Sequence, residues 1–284
     1  MSRINRLLLA LVLSFAPCGL LWAQSNGTYT GGVTLGSRIG IPGDSGTYAP
    51  SFNGSTGYVS VPSGVWFSGG DWCVEYWLYY TSWGGGIESG FAFEIGPGYT
   101  NLVANEWYGT GAKDYVYSLP ASVTLSTPAL PTNQWVYVVH SYDSATSTVS
   151  LYENAAFITS GTLAAPLNVT RNQNTIGGDI GLSRFWNGSL AQLAIYNRKM
   201  GPTEVTSHWS TGSSSGSGYP ALIIAASPLA YWRLAETTGT SARDEMSGTG
   251  PKKTIVISDY WPSTGRWTWS PWAILSAWMC RQLG

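Results

Sequence analysis

Charge is scarce in this sequence. Only 10% of its 284 residues are Asp, Glu, Lys or Arg, whereas soluble domains usually carry about 25%. The 14 basic and 15 acidic residues give a formal net charge of −1. We therefore expect no nucleic-acid partner, because phosphate binding requires a cationic surface.

Histidine and cysteine are also rare, which removes most metal and nucleophile chemistry. The sequence has two histidines, His140 and His208. These are too few to supply the ligands of a zinc site, and no triad of nucleophile, base and acid is recognisable around them. We expect both to be packed or surface imidazoles. Residues 212–216 formally satisfy G-x-S-x-G, but they lie in a Ser/Gly tract and not between a strand and a helix. Cys73 lies in a strand-like run and is interpreted as a small buried side chain; a disulfide with Cys280 is the alternative.

Long hydrophobic runs are absent from the sequence. No segment reaches the roughly 20 apolar residues that a membrane-spanning helix needs, so we expect no membrane span. Two arginines precede the apolar run 7–15, and the small residue Ala23 follows it. This order predicts a secretory signal peptide over residues 1–24, and hence a secreted, extracellular or cell-surface protein. An uncleaved amphipathic N-terminal helix is the alternative, and the residues before Cys18 do not favour a lipoprotein anchor.

Short runs of β-favouring residues, separated by Gly, Asn, Ser and Pro, fill the chain from Tyr48 to Tyr196. So many strands close into a sandwich more readily than into one flat sheet. We therefore predict an all-β fold, a two-sheet antiparallel β-sandwich, with one short helix at 201–209. The clearest predicted strands are 58–62, 72–78, 91–95, 135–142, 148–152 and 189–196.

Several short motifs occur in order along this part of the chain. Residues 51–59 (SFNGSTGYV) are similar to F-x-G-x-x-x-Y-V, and residues 71–77 (DWCVEYW) are similar to F-T-V-E-x-W. Residues 133–154 are similar to a W-x-H-V-x-x-x-Y-D strand followed by L-Y-V-N-G, and residues 174–198 complete the pattern. Together they resemble the laminin-G-like, concanavalin A-like jelly-roll domains of secreted bacterial tandem-repeat proteins. The resemblance implies a concanavalin A-like jelly roll and a carbohydrate or cell-surface glycoconjugate as partner.

The sequence departs from that family pattern in three places. Ala191-Gln192 stands where the family usually has Asp-Glu, and Ala155 stands where Gly follows Asn. A "Y-W-R-L-x-E" strand is missing before residues 26–36 but occurs late, at 231–236. The first two departures put in doubt a cation held by those acids and the usual form of the hairpin after Asn154.

The late strand leaves the domain organisation open. We predict one jelly-roll domain over residues 25–210 and a flexible Ser/Gly linker over 211–218. Residues 219–250 are either the start of a second repeat or a strand that folds back and pairs near residues 193–196. Residues 251–284 are an unassigned Trp-rich tail.

Aromatic residues in predicted loops or at strand edges are the candidate ligand contacts. Pyranose CH faces stack on aromatic rings, while amide and carboxyl groups orient the hydroxyls. Packing in the sandwich core is the alternative for each of them. The candidates are Trp83, Trp107, Tyr108, Asp114, Tyr115 and Trp186.

Calcium is the one cofactor that the resemblance suggests, because calcium is common in related domains. Calcium takes several oxygen ligands from loops. The available loop oxygens belong to Asp44, Asn53, Asp143 and Asp179, although their spacing is not that of a known calcium loop.

Catalysis needs a carboxylate pair that the sequence does not display. Jelly-roll glucanases carry E-x-D-x-E on one strand, and this sequence lacks that triplet. Glu75, Glu94 and Glu106 stand singly among aromatics, and we expect Glu75 to hold neighbouring backbone or hydroxyl groups. The predicted function is a secreted, non-catalytic carbohydrate-binding or adhesion module. A structural spacer repeat and a glycoside-active enzyme of the same fold are the alternatives.

Overall fold

The structure, a computed structural model, describes residues 25–82, 89–109 and 113–247. The predicted leader, Trp83, and the predicted tail with Cys280 lie outside the described residues. The strands are β1 Gly27–Thr30, β2 Val33–Ile39, β3 Tyr48–Asn53, β4 Tyr58–Val61, β5 Trp72–Tyr80, β6 Ser89–Gly96, β7 Val103–Tyr108, β8 Lys113–Ser118, β9 Ala121–Ser126, β10 Trp135–Asp143, β11 Thr148–Glu153, β12 Ala156–Thr162, β13 Gln173–Ile176, β14 Asn187–Tyr196, β15 Ala230–Trp232 and β16 Ser241–Ala242. The helices are α1 Pro202–Ser213 and α2 Tyr219–Ala225, and a single 3-10 turn spans Pro42–Asp44.

These strands form two antiparallel sheets that stack face to face. Sheet A has the order β16-β1-β4-β13-β6-β7-β8-β9, and sheet B has the order β12-β11-β10-β5-β14-β3-β2. The predicted two-sheet sandwich is confirmed. All six of the strands named from sequence are present, as β4, β5, β6, β10, β11 and β14.

Strand β5 shows how the residue order builds the layers. Successive side chains of a strand point to opposite faces of the sheet. The side chains of Trp72, Val74, Tyr76 and Leu78 point into the core between the sheets. Those of Cys73 and Trp77 point to the other face of sheet B, where the helices cover them. Both faces of β5 are therefore buried, and burial raises the pKa of the free Cys73 thiol.

A chain of buried polar side chains crosses the core. The Tyr76 hydroxyl of sheet B donates to Oδ1 of Asn105 in sheet A, at 2.6 Å. The Asn105 amide donates in turn to Asp114, and Oδ2 of Asp114 lies 2.5 Å from Nε2 of His140, back in sheet B. Trp107 donates its indole N–H to the Tyr76 hydroxyl at 3.1 Å. Both carboxyl oxygens of Asp114 therefore have a partner inside the core, which lowers the cost of burying this group, while Nδ1 of His140 is buried without one among the described residues.

The outer face of sheet B is closed by the helices around a second buried carboxylate. Glu75 accepts hydrogen bonds from the hydroxyls of Tyr137 and Tyr196, and Nδ1 of His208 lies 2.9 Å from it. Burial, and then the charge of Glu75, raises the pKa of both tyrosines. Burial, the largest single effect, opposes the charged form of His208, but the hydrogen bond to Glu75 together with the charges of Glu75 and Glu204 outweighs it and raises the pKa of His208. The predicted roles of Glu75 and of the histidines agree with these contacts.

The structure adds helix α2 to the single helix expected from the sequence. Its first turn contains a proline, whose fixed φ suits that position, and Tyr219 and Ile223 are buried against sheet B. Helix α1 also extends to Ser213, so the first three residues of the predicted linker are helical.

The last described segment returns to both sheets. Strand β15 pairs with β14, with Trp232 opposite Leu193 and Ala230 opposite Ile195. Strand β16 pairs with β1 in sheet A. Arg233 donates to Asp44 at 2.8 Å. Of the two alternatives for residues 219–250, this pairing corresponds to the strand that folds back onto the first domain.

The hairpin between β11 and β12 contains a strained alanine. Asn154 and Ala155 have φ values of 47° and 70°, as the two central residues of a tight turn between Glu153 and Ala156. Two left-handed residues suit the twist of an antiparallel hairpin. Asn tolerates this conformation, whereas Ala pays a steric cost that Gly avoids.

We predict that Ala155→Gly stabilises the protein by about 1 kcal/mol, because Gly removes the clash of Cβ in the left-handed conformation. Equilibrium unfolding in urea measures the difference. The neighbouring change Ala156→Gly is the control, since Ala156 is an extended strand residue and Gly there costs roughly 0.5–1 kcal/mol. Equal effects of the two changes would contradict this account.

We further predict that a chain ending at Gly218 melts at least about 10 °C below one ending at Ser247, because it loses the buried side chains of α2 and of residues 230–234. Tyr231, Trp232 and Leu234 are all fully buried. Thermal unfolding followed by circular dichroism compares the two chains, and equal melting temperatures would refute a structural role for the segment.

Candidate functional site

The outer face of sheet A, which α1 and α2 do not cover, holds the candidate site. Asn105, Trp107 and Asp114 point into the core, so the alternating residues of β7 and β8 point outward. A bulge between Phe91 and Phe93 shifts the register of β6, so that both Phe91 and Glu94 point outward. The outward side chains of β6, β7 and β8 include Phe91, Glu94, Ala104, Glu106, Tyr108, Lys113, Tyr115 and Tyr117.

Four aromatic rings form a continuous row on this face. Phe91 stacks on Tyr117 with a centroid distance of 6.2 Å, and Tyr117 stacks on Tyr115 at 6.3 Å. Tyr115 meets Tyr108 edge to face at 6.0 Å. Tyr108 is 42% exposed and Phe91 only 3%. The row therefore rises from a buried end at Phe91 to an exposed end at Tyr108.

An ion-pair network lies beside the buried end of the row. Nη1 of Arg184 donates to Oε1 of Glu106 at 2.8 Å, and Nε lies 3.5 Å from Asp179. The Tyr117 hydroxyl donates to the other oxygen of Glu106 at 2.7 Å. The Arg184 guanidinium also lies 4.7 Å from the centre of the Phe91 ring. These contacts hold Arg184 in one orientation over the sheet.

Glu94 is the carboxyl group of this face with the most perturbed acidity. Its side chain is buried, with 2% of the residue exposed, and the backbone N–H of Ile180 donates to it at 3.3 Å. Burial raises the pKa of Glu94 to about 7, and the charge of Asp179 adds to the shift. The group can thus donate or accept a hydrogen bond near neutral pH.

A small pocket of about 80 Å³ lies at this point. It is too small to enclose a whole sugar ring, but it is large enough for one substituent of a ligand lying across the row of rings. Its lining residues are Phe91, Glu94, Tyr99, Leu102, Tyr117, Leu119 and Arg184.

The structure corrects three of the ligand contacts expected from sequence. Trp107, Asp114 and Trp186 are fully buried. Trp107 and Asp114 belong to the polar chain in the core, and Trp186 donates its indole N–H to the Ser189 carbonyl at 3.2 Å. These three are packing residues and do not reach a ligand.

Two of the expected contacts, Tyr108 and Tyr115, do lie on the outer face. They belong to strands β7 and β8, not to loops. Phe91 and Arg184 are not recognisable as site residues from the sequence, nor is the way Tyr117 joins them. In KDYVYS the two tyrosines alternate with Asp114, Val116 and Ser118, and this period of two is the sequence signal for a strand at this position.

The four candidate calcium ligands do not converge. Asp44 pairs with Arg233, Asp143 with Lys199 at 2.7 Å, and Asp179 accepts from Ser183 at 2.7 Å. Asn53 accepts from the backbone N–H groups of its own turn. No described hydrogen bond joins two of the four, and no group of three or more acidic, His or Cys side chains in the described ranges could hold a metal ion. These residues do not fit a shared calcium site.

Glu94 and Glu106, expected to stand singly, share one face. Strand pairing places Ala104 opposite Glu94 and Glu106 opposite Phe91, so the two carboxyl groups lie on neighbouring strands beside Arg184. Sequence alone does not reveal this, because the proximity depends on the register of β6 and β7.

Comparison with known proteins gives a family match. The family model described as the concanavalin A-like lectin/glucanases superfamily matches residues 53–206, more than half of the chain. No curated protein matches the sequence. Within the described part of the chain, none of the helices has the length and apolar character needed to cross a membrane.

Solved structures show the same fold at low identity. Domain 4 of an extracellular arabinanase from Geobacillus stearothermophilus, in complex with arabinotriose, is 18% identical; the match covers 62% of this chain and 85% of that one, with a TM-score of 0.45. A proposed carbohydrate-binding protein from Bacteroides ovatus is 13% identical with a TM-score of 0.50; the match covers 79% of this chain but only 56% of that protein. The CBM40 module of a Ruminococcus gnavus IT-sialidase, bound to α2,3-sialyllactose, is 12% identical with a TM-score of 0.42, and the match covers 55% and 96% of the two chains. At these identities the similarity shows the fold alone.

We predict that Glu94 makes the protein less stable as the pH rises. Its pKa is about 7 when folded against an ordinary value of 4.5, so the folded state binds the proton more tightly. Its contribution is fully present below pH 4.5 and is lost as the pH rises through 7. At 1.36 kcal/mol per pKa unit, the full shift corresponds to a loss of about 3 to 4 kcal/mol.

Urea unfolding of the wild type and of Glu94→Gln at pH 5 and pH 8 measures this contribution. The variant should lose less stability between the two pH values. Some loss remains in it, because burial also raises the pKa of Glu153 to about 7. An identical pH dependence in both proteins would show that Glu94 does not titrate as its burial requires.

Proposed function

The chain belongs to the concanavalin A-like lectin/glucanase superfamily, and we propose that it is a non-catalytic module that binds a neutral glycan chain on the outer face of sheet A. From its leader-like first residues we also propose that it acts outside the cell. The observation that carries the binding proposal is the row of four rings from Phe91 to Tyr108, beside the hydrogen-bonding groups of Glu94 and Glu106.

The row of rings suits an oligosaccharide. Consecutive centroids lie 6.0 to 6.3 Å apart. Tyr108, Tyr115 and Tyr117 are at least partly exposed and can contact the CH face of a sugar, whereas Phe91 is the buried end of the row. Carboxyl and phenol groups alongside can orient hydroxyls. The 80 Å³ pocket beside Phe91 admits one small substituent, such as a hydroxymethyl or acetyl group.

The charges at the buried end of the row favour a neutral ligand. There, three acidic side chains, Glu94, Glu106 and Asp179, surround Arg184, whereas the exposed Lys113 lies at the other end, opposite Tyr108. Arg184 is already paired with two of these carboxylates, so it has little capacity to attract a further anion. A uronate or sialylated chain would meet like charge at the buried end and should bind more weakly there.

Glycoside hydrolysis is a second candidate function, favoured by one observation. Glu94 has a pKa of about 7, which suits a general acid, and Glu106 lies on the adjacent strand. Binding is the better supported of the two, because Glu106 is committed to Arg184 and to the Tyr117 hydroxyl. A nucleophile or base should be free to reach the substrate.

We predict that Tyr115→Ala and Tyr117→Ala each weaken binding to a neutral polysaccharide about tenfold, equivalent to about 1.4 kcal/mol, because each removes one stacking surface. Affinity electrophoresis in gels containing arabinan, xylan, β-glucan or polygalacturonate measures this, with and without calcium. Tyr48→Ala is the control, since Tyr48 is 45% exposed on strand β3 of sheet B.

The same polysaccharides separate the alternatives. Retardation by a neutral polymer that the tyrosine variants lose and the control keeps supports the proposal. No retardation by any polymer would favour the structural spacer. Release of reducing ends that Glu94→Gln abolishes would establish the enzyme instead.

A further inference from the structure

A groove of about 500 Å³ lies on the opposite side of the sandwich, on the outer face of sheet B beside α1. A volume of this size is in the range of ligand sites in proteins. We name it the Trp135 groove, after the ring at its centre. Its lining includes the rings of Tyr79, Trp135 and Trp209 and the side-chain amides of Asn133, Gln134 and Asn154.

The rings of the groove come from three separate elements. Tyr79 ends the outward row of β5, Trp135 begins β10, and Trp209 lies on α1. All three are partly exposed. Trp135 meets Tyr79 edge to face at 5.5 Å, and its indole N–H donates to the Ile39 carbonyl at 3.3 Å. Trp135 is therefore held in place, with part of its surface open to solvent.

The amides of the groove have unused hydrogen-bonding capacity. Oδ1 of Asn154 accepts from the Tyr137 N–H at 3.0 Å, which fixes the amide, while its Nδ2 has no acceptor among the described residues. The side chains of Asn133 and Gln134 are exposed and make no hydrogen bond within the described ranges. Asn133 is anchored by its backbone, whose N–H donates to the Tyr80 carbonyl at 2.9 Å.

The lining has no Asp, Glu, Lys, Arg or His among the described residues. Arg38 contacts one lining residue from outside the lining: its guanidinium covers one side of the Tyr79 ring at 3.5 Å and donates to the Ser189 hydroxyl at 2.8 Å. Aromatic surface, amide donors and acceptors, and no charge in the lining together suit an uncharged polyhydroxyl ligand.

We propose that the Trp135 groove is a second binding site, for a neutral oligosaccharide, independent of the face on sheet A. It goes beyond the function proposed above, because it stands even if the sheet A face binds nothing. With a site on each outer face, one molecule holds two glycan chains on opposite sides of the sandwich. Such a bivalent module gains avidity on a polysaccharide network.

The indole N–H of Trp135 provides a direct readout in the full chain. The protein, labelled with ¹⁵N in its tryptophan indoles, is titrated with hexasaccharides of glucose, xylose and arabinose, and Trp135→Phe assigns the signal. At least one hexasaccharide should shift the Trp135 signal, with the same affinity in Tyr115→Ala as in the wild type. Calorimetry should show about a tenfold loss of that affinity in Trp135→Ala.

Two milder variants show whether a loss of affinity in Trp135→Ala comes from misfolding. Gln134→Ala removes only an exposed amide and should weaken binding in the groove several-fold. Trp135→Phe, used above for assignment, keeps a ring and should retain most of the affinity. No shift with any hexasaccharide would overturn the groove. A shift that disappears in Tyr115→Ala would do the same, since it would originate at sheet A. Tighter binding of a galacturonate hexamer would refute the neutral ligand class.

The two sites fail separately in this design. Affinity at the Trp135 signal that is lost in Trp135→Ala but kept in Tyr115→Ala establishes the groove, whatever the sheet A face does; the sheet A site is judged separately, by the retardation of Tyr115→Ala and Tyr117→Ala in the polysaccharide gels. The reverse pattern overturns the groove and leaves the function proposed above.

Discussion

The buried hydrogen-bond chain from His140 through Asp114 and Asn105 to Tyr76 sets the orientation of the strands that carry the candidate site. It joins the two sheets twice, at 2.5 Å and 2.6 Å, and its only carboxylate is paired inside the core. A shift of β7 or β8 by one residue would expose these groups and bury Glu106 and Tyr117, because alternate side chains exchange faces. Leaving Asp114 unpaired in the core would be costly. The network therefore fixes which residues face outward on sheet A.

The other side of the molecule depends on a second buried carboxylate. Glu75 gathers tyrosine hydroxyls from β10 and β14 and the imidazole of His208 from α1, so it ties the helix to the outer face of sheet B. That face is covered where α1 and α2 pack and remains open beyond them, at the Trp135 groove. The two buried acids thus have opposite consequences. Asp114 is paired inside the core, so the outer face of sheet A stays uncovered and its side chains stay ordered. Glu75 holds α1 against the outer face of sheet B, and the helices cover most of that face.

Most strands of the sandwich can be predicted from the sequence, but the candidate site can be predicted only in part. Strands such as β5 and β10 are long runs of β-branched and aromatic residues, and their type is evident from the sequence. Strands β7 and β8 contain Asn, Glu, Lys and Asp, and their sequence predicts loops or strand edges, because the polar residues of the core chain resemble loop residues. Trp107 and Tyr108 are adjacent and similar in type, yet one is buried and the other exposed. Only the register across three strands distinguishes them, and the same register brings Glu94 near Glu106.

The contacts of the late strand β15 explain why Gln192 stands where the family usually has Glu. The Gln192 amide donates to Asp44 at 2.8 Å and accepts from the Tyr231 hydroxyl. A glutamate at this position could not donate to Asp44 and would place two carboxylates together in a buried site. An amide is therefore the side chain that lets Asp44, Arg233 and β15 close the edge of β14. The Asp44 carboxylate is therefore engaged inside the fold, by Gln192 and Arg233, and is not presented at the surface.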